Sequence, residues 1–207
     1  MSTIVETYVD KIVDELKKKL FIEVEASGRH VHLSKKDLNT LFGEGYQLTK
    51  AKDLSQPGQF ACNERVTISG PKGAIKNVII LGPERKDTQV EVSLTDALAL
   101  GIKPPIRLSG DVEDSPGVVI INGDRKVEIN QGIIVAKRHI HMLPEDAQRL
   151  GVEDKEVVKI KVFGLRPLIF DDVVVRVNKN FRTFVHIDYD EANACGYKKG
   201  TFALILK

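Results

Sequence analysis

The sequence lacks the features that mark membrane, nucleic-acid-binding and disulfide-rich proteins. It has only two cysteines, Cys62 and Cys195, which is typical of a protein from a reducing compartment. The two form no C-x-x-C pair, which disfavours a metal site built from thiolates. The 31 basic and 29 acidic residues leave a net charge of +2, without the positive excess of a dedicated nucleic-acid binder. There is no apolar run of membrane-spanning length and no secretory signal pattern. We therefore expect a cytoplasmic protein that binds neither nucleic acid nor membrane.

Three common catalytic motifs are also absent. The chain contains no G-x-x-x-x-G-K-[ST] loop, no G-x-G-x-x-G and no G-x-S-x-G. Hydrolysis of nucleoside triphosphates and serine-hydrolase chemistry therefore lose most of their support. A catalytic thiol is disfavoured too, because nothing near Cys62 in the sequence would activate it.

What the sequence does contain is one template that occurs four times. A candidate metal ligand stands at position zero of each copy: His32, Glu91, His141 and His186. The residues on either side of position zero are apolar in every copy. The first and third copies carry a second histidine two residues earlier, His30 and His139. All five histidines of the protein therefore fall inside the template.

Each copy predicts a strand that leads into a short capped helix. Apolar residues alternate with position zero at the period of a strand, so a His-x-His pair places both imidazoles on one face. An acid follows five residues after position zero: Asp37, Asp96, Asp146 and Glu191. Ser34, Ser93 and Asp188 stand three residues before such an acid, which is the spacing of a capping box. The third copy has Pro144 at the first helical position instead.

The simplest grouping of these ligands gives two sets of three. The first triad is His30, His32 and Glu91, and the second triad is His139, His141 and His186. Three nitrogen or oxygen ligands with a free fourth position are typical of catalytic zinc. A lone His-x-His is more often a surface or hydrogen-bonding pair, but its repetition with matched third ligands favours metal binding. Only the template distinguishes Glu91 from the other acids.

Three arginines lie close to these ligands in the sequence. Arg85 follows a Gly-Pro turn and precedes Glu91, and a guanidinium can hold a phosphate through two parallel hydrogen bonds. Arg29 and Arg138 immediately precede the two histidine pairs. Each of these two either adds positive charge to a site or is an ordinary solvated surface residue.

The remaining pattern is β-rich apart from the N-terminus. Residues 1–20 predict an amphipathic helix with an apolar stripe, which packs either on its own protein or on a partner. Many short strand patterns with Gly, Pro and Asn between them predict small barrels or sandwiches. Residues 43–63 predict an insertion rich in turn formers.

Four segments together resemble the phosphate propanoyltransferases, a family of phosphotransacylases, some of which work inside bacterial microcompartments. The segments are 27–34, 82–91, 138–142 and 185–188, and the resemblance extends over nearly the whole chain from about residue 21. It implies a mainly β fold with two small β-barrel domains capped by short helices. It also implies two zinc ions per chain, held by the two triads, and Arg85 as the phosphate-binding catalytic residue. A homodimer is implied as well.

The resemblance further implies domain boundaries. Residues 1–20 form the N-terminal helix, residues 21–28 a strand that joins the C-terminal barrel, residues 29–136 the first zinc-binding barrel with the insertion, and residues 137–207 the second. The N-terminal helix is similar to short tags that bind microcompartment shells. It is therefore either such a tag or a helix packed on its own barrel.

The implied reaction is acyl-CoA plus phosphate giving acyl phosphate plus CoA, with propanoyl-CoA or acetyl-CoA as the thioester. Our hypothesis assigns phosphate to Arg85 and the zinc of the second triad, and the leaving thiolate to the zinc of the first. Two other classes stay open. A zinc hydrolase would use the same ligands and release CoA without phosphate. In a non-enzymatic protein the metals would be structural, and chelation would unfold the chain.

Overall fold

The computed structural model describes residues 2–206, which form short helices and many strands. The helices are α1 (Ser2–Leu20), α2 (Lys35–Phe42), α3 (Leu94–Leu100), α4 (Pro144–Leu150) and α5 (Tyr189–Cys195). The strands are β1 (Ile22–Ser27), β2 (His30–His32), β3 (Lys50–Asp53), β4 (Phe60–Ser69), β5 (Ala74–Gly82), β6 (Gln89–Val92), β7 (Ile106–Arg107), β8 (Val118–Asn122), β9 (Arg125–Ile129), β10 (Ile133–Ala136), β11 (His139–Met142), β12 (Val157–Val162), β13 (Leu168–Val177), β14 (Phe184–Asp188) and β15 (Phe202–Leu206).

The chain divides into two compact units. The barrel unit contains the residues up to Ala26, Arg138–Ile187 and the residues from Glu191 on. The sheet unit contains Ser27–Lys137 and Asp188–Asp190. The predicted mainly β fold with two small β-domains, short helices and an N-terminal helix is confirmed.

The barrel unit is a closed barrel of six strands in the order β1-β14-β11-β13-β12-β15. Strand β1 pairs with β15 in antiparallel register, Ile22 opposite Ala203, so a strand from near the N-terminus completes a barrel built from the C-terminal part of the chain. Alternate side chains of these strands fill the interior, among them Ile140, Met142 and Ile160, which are fully buried.

The sheet unit contains a sheet of nine strands that forms a half-barrel. Eight strands follow the order β7-β10-β6-β2-β5-β4-β8-β9, and β3 pairs with β4 at the side of this path. The apolar neighbours of each position zero point into its core, where Val31, Leu33 and Val90 are fully buried. Because the side chains of a strand alternate between its two faces, the ligands between them are directed to the opposite face.

The short helices begin at the predicted caps. The Ser34 hydroxyl accepts from the Asp37 amide at the start of α2, and Ser93 forms a complete capping box with Asp96 at the start of α3. Helix α4 has Pro144 in its first turn. Gly101 and Gly151 end α3 and α4 in the left-handed region, with φ of 73° and 66°, which a glycine adopts without a steric penalty.

The two units contain the same arrangement of three strands around their ligands. In the sheet unit β2 is antiparallel to β6 and parallel to β5, and in the barrel unit β11 is antiparallel to β14 and parallel to β13. The register is also the same, with His30 opposite Glu91 in one unit and His139 opposite His186 in the other. The sequence repeat is therefore a structural repeat, and it determines which ligands face each other.

Helix α1 keeps apolar side chains at the surface. Tyr8, Ile12 and Leu16 are between 50% and 63% exposed. At the end of the helix, the Arg149 guanidinium donates to the Lys19 carbonyl oxygen. Within residues 2–206, no helix combines the length and the apolar character that crossing a membrane requires.

Candidate metal centres and the neighbouring arginine

The first triad lies on the antiparallel pair of β2 and β6. His30, His32 and Glu91 are all buried, with exposures between 3% and 8%. Their potential ligand atoms lie within 4.8 Å of one another, close enough for a single ion to contact all three. The structure thus brings together the three residues that the template grouped, because the strand register places Glu91 directly opposite His30.

Each ring of the first triad offers one nitrogen to the space between the ligands. Nδ1 of His30 lies 2.8 Å from the Gly28 carbonyl oxygen, and since a carbonyl can only accept, Nδ1 carries the hydrogen. Nε2 of His30 is then free to face Glu91, whose Oε2 lies 3.4 Å away. Nδ1 of His32 is buried, and no group among residues 2–206 is hydrogen-bonded to it.

The charge states of Glu91 and His32 suit a cation. Burial opposes ionisation of Glu91, but the charge of His30 and its hydrogen bond outweigh burial and hold the pKa of Glu91 well below its ordinary value. Burial also lowers the pKa of His32 well below its ordinary value, with repulsion from His30 and Arg85. Burial lowers the pKa of His30 as well, but attraction to Glu91 outweighs it and raises this pKa above its ordinary value. An ionised carboxylate and a neutral imidazole are the forms that ligate zinc.

The second triad lies on the equivalent pair of β11 and β14. The ring centroids of His139, His141 and His186 are between 4.6 and 5.1 Å apart, and their potential ligand atoms lie within 4.8 Å of one another. The Glu25 carboxylate is 3.8 Å from Nδ1 of His186, and the Phe181 ring lies 4.1 Å from the His141 ring. This triad contains three imidazoles, so it carries no negative charge of its own.

Arg85 lies beside the first triad. Its backbone amide donates to the Leu33 carbonyl, which fixes its loop against the strand that carries His32. Its guanidinium donates to the Ser109 hydroxyl at 3.1 Å. Burial is the largest influence on the pKa of His30 and of His32, and the positive charge of Arg85 acts in the same direction on both rings. A positive group therefore adjoins the triad in the sheet unit.

Arg29 and Arg138 are held in ion pairs with acids of the template. Arg29 lies 2.9 Å from the Asp96 carboxylate, and Arg138 lies 2.9 Å from the Glu191 carboxylate. Both side chains also remain at the surface, 42% exposed for Arg29 and 30% exposed for Arg138. They connect the strand of one template copy to the helix of the next copy.

Sequence reasoning missed Gln89 and Ser109. Gln89 is 3% exposed, and its Nε2 lies 2.6 Å from Oε1 of Glu91 and 2.9 Å from Oγ of Ser109. One signal could have found Gln89, because it occupies the template position that His30 and His139 hold in the His-x-His copies. No comparable signal marks Ser109, which comes from a distant loop.

These features define a two-unit β protein with a triad of two histidines and a glutamate in one unit, a triad of three histidines in the other, and an arginine beside the first. A protein-family model described as phosphate propanoyltransferase matches residues 23–198. The chain therefore belongs to the phosphate propanoyltransferase family, and it is an acyltransferase. The resemblance seen in the sequence is confirmed.

Curated relatives support the same assignment over the full length. The chain is 60% identical over 207 residues to the phosphate propanoyltransferase of Clostridioides difficile (strain 630), covering 100% of this chain and 99% of that protein. It is 58% identical over 207 residues to the phosphate propanoyltransferase of Enterococcus faecalis (strain ATCC 700802 / V583), covering 100% and 97%. It is 54% identical over 203 residues to that of Listeria monocytogenes serovar 1/2a (strain ATCC BAA-679 / EGD-e), covering 96% and 95%.

Proposed function

We propose that the protein is a zinc-dependent phosphate acyltransferase that interconverts a short-chain acyl-CoA plus phosphate with acyl phosphate plus CoA. Propanoyl-CoA is the proposed thioester, with acetyl-CoA as a second substrate. The observation that carries this proposal is the buried triad of His30, His32 and Glu91, with the Arg85 guanidinium linked to Glu91 through Ser109 and Gln89. Family membership supports the same reaction.

The reaction needs positive charge, because a multiply charged phosphate must approach a thioester carbonyl that becomes more negative as it reacts. Arg85 meets part of this need through two parallel hydrogen bonds to phosphate oxygens. Zinc held by the two triads would supply further positive charge to phosphate and to the departing sulfur. The buried Nδ1 of His32 and the ionised Glu91 fit such an ion.

We assign phosphate to Arg85 and the first triad. This differs from the sequence-based hypothesis, which paired Arg85 with the second triad. The reason is that Arg85 lies in the sheet unit with His30 and His32, and its charge acts on both rings. The second triad is then assigned to the thioester and the departing CoA sulfur.

The proposed transfer is direct and needs no acyl-enzyme. A phosphate oxygen forms the bond to the thioester carbonyl carbon, the carbon–sulfur bond breaks, and CoA leaves as the thiolate. The cysteines do not suit a nucleophilic role, since Cys62 and Cys195 are both buried. Burial raises the pKa of Cys62 to about 11 and also raises the pKa of Cys195, so neither thiol ionises readily at neutral pH.

We also propose a homodimer in the cytoplasm, with helix α1 as an attachment to a bacterial microcompartment shell. The exposed apolar side chains Tyr8, Ile12 and Leu16 support a partner outside this helix's own unit. An exposed apolar stripe on a helix is the kind of surface that enters a groove of another protein.

The decisive experiment measures CoA thiol release from propanoyl-CoA, with and without phosphate, using protein of known zinc content. We expect release only when phosphate is present, with acyl phosphate formed in equal amount. Release of CoA without phosphate would instead identify a zinc thioesterase and would remove phosphate binding from Arg85.

A further inference from the structure

Gln89 makes three hydrogen bonds in a buried position next to the first triad. Its side-chain NH2 group donates to Oε1 of Glu91 at 2.6 Å and to Oγ of Ser109 at 2.9 Å. Its side-chain oxygen accepts from the Gly110 amide at 2.9 Å. Both ends of the amide are therefore engaged, which fixes the orientation of the group.

The bond to Oε1 determines which oxygen of Glu91 is available. A carboxylate has two equivalent oxygens and rotates freely, so a ligand of this type needs a donor that distinguishes them. In this structure Oε1 is occupied by Gln89, and Oε2 is the oxygen directed at His30, 3.4 Å from its Nε2. Gln89 thus presents a single oxygen of Glu91 to the space between the ligands.

The second triad provides an internal comparison. It has His186 where the first has Glu91, and Phe184 where the first has Gln89. An imidazole presents a ring nitrogen without a choice between equivalent atoms, so it does not require an amide at this position. The polar residue occurs only in the unit whose third ligand is a carboxylate, as expected if its role is to orient that ligand.

Gln89 also connects the triad to Arg85. Oγ of Ser109 accepts from both Gln89 and the Arg85 guanidinium, and Gln89 in turn donates to Glu91. The metal-ligand candidate and the phosphate arginine are therefore joined through one serine. We therefore expect a substitution of Gln89 to alter the positions of both Glu91 and Arg85.

We propose that Gln89 is a positioning residue with two effects. Its bond to Oε1 leaves Oε2 of Glu91 to face the metal, and its bond to Ser109 fixes the Arg85 guanidinium relative to that oxygen. The inference rests on the proposed zinc occupancy of the first triad. It assigns Gln89 no contact with substrate.

The test is Gln89→Met, which keeps the length of the side chain and removes its hydrogen bonds. Zinc affinities are measured by competition with a chromophoric chelator, and steady-state kinetics with phosphate and propanoyl-CoA follow. We expect the affinity for one of the two zinc ions to fall about 10- to 100-fold, the usual effect of losing a group that orients a ligand. The KM for phosphate is expected to rise while the KM for propanoyl-CoA stays near that of the wild type.

The matched control is Phe184→Met, which introduces the same residue at the equivalent position of the other unit. It breaks no bond to a ligand, so both zinc affinities should stay at the wild-type level. Should Gln89→Met fail to fold, Gln89→Asn serves in its place, because its amide is too short to reach Glu91.

The inference about Gln89 and the proposed function would be overturned by different results. Two unchanged zinc affinities in Gln89→Met, or in Gln89→Asn, would show that Gln89 does not orient Glu91. A wild-type protein that binds no zinc, or releases CoA without phosphate, would instead defeat the proposed function, irrespective of any variant.

Discussion

At the level of single residues, each of the four template acids is bonded to a side chain from the other template copy in its unit. The residue three positions before position zero is arginine in the first and third copies and threonine in the second and fourth. Each bonds the acid of the other copy in its unit: Arg29 with Asp96, Thr88 with Asp37, Arg138 with Glu191, and Thr183 with Asp146. These pairs fix the strand of one copy to the helix of the other, and so hold the ligands in register.

Arg85→Ala should strongly raise the phosphate concentration that the enzyme needs, measured as the KM for phosphate. The loss of charge-assisted hydrogen bonds to phosphate costs about 1.5–3 kcal/mol, which corresponds to about a 10- to 100-fold rise in the KM for phosphate. Arg85→Lys should recover only part of this, because an ammonium cannot form the two parallel bonds. The KM is measured from initial rates of CoA release, with Arg125→Ala on the exposed surface as control. Unchanged phosphate kinetics in Arg85→Ala would refute the assignment.

At the level of elements, the loop between β5 and β6 is fastened to the start of α2. The Thr88 hydroxyl accepts from the Ser34 amide at 2.8 Å and donates to the Asp37 carboxylate at 2.5 Å. Thr183 forms the same two bonds to Leu143 and Asp146 in the barrel unit. The two loops are thus held alike, but only the first carries Arg85.

Thr88→Val and Thr183→Val should separate stability from phosphate binding. Thr88→Val leaves the buried Ser34 amide without its partner, so we expect a loss of about 1–3 kcal/mol in the free energy of unfolding. Thr183 is only half-buried, and its loss should lie at the lower end of this range because water can replace the bond. Only Thr88→Val should raise the KM for phosphate. Equal KM values in the two variants, measured beside urea unfolding, would contradict this.

Residues 43–63, which we predicted to be an insertion, are held by the buried carboxylate of Glu64. Glu64 accepts from the Tyr46 hydroxyl at 3.0 Å and from the Thr49 amide at 2.9 Å, with a further bond from the Thr49 hydroxyl. Burial opposes ionisation of Glu64, but these bonds, with those from Thr49 foremost, outweigh it and lower its pKa below the ordinary 4.5. The ionised form therefore stabilises the fold.

Glu64→Gln should cost stability at neutral pH but not in acid. At pH 7 we expect a loss of about 1 kcal/mol, the difference between charged and neutral acceptors. Because the folded-state pKa is depressed, the stabilisation is complete above about pH 4.5 and disappears as the pH falls through the folded value. Urea unfolding at pH 7 and pH 3 measures this, with exposed Glu128→Gln as control. A difference that persists undiminished at pH 3 would contradict ionisation as its source.

At the level of the whole molecule, each unit has its own apolar core and one triad. Chelation should therefore abolish phosphate-dependent CoA release while leaving the far-UV circular dichroism largely unchanged, and two equivalents of zinc should restore activity. Unfolding on chelation would favour structural metals instead, since such domains depend on the ion to fold.

Removal of residues 2–15 should leave a soluble, active enzyme. The apolar side chains of α1 at Tyr8, Ile12 and Leu16 are exposed, so little of the barrel core depends on them. Solubility by gel filtration and CoA release are compared with the full chain. Aggregation or loss of activity would show that the helix packs on its own protein.

Local patterns were sufficient to predict a large part of this molecule. The mainly β fold, the caps at Ser34 and Ser93 and the membership of both triads were predicted because strand alternation and capping depend on residues a few positions apart. The repeat then grouped ligands that are distant in the chain. Zinc ligation by these residues stays a prediction.

The partners of those ligands were decided only by the tertiary structure. The donor to Glu91, the serine that joins Gln89 to Arg85, and the pairing of Arg29 with Asp96 all depend on strand register and on loops far apart in sequence. Likewise, only strand pairing distinguishes the closed barrel from the half-barrel. Register depends on the fit of whole strands across a sheet, and no short stretch of sequence contains that information.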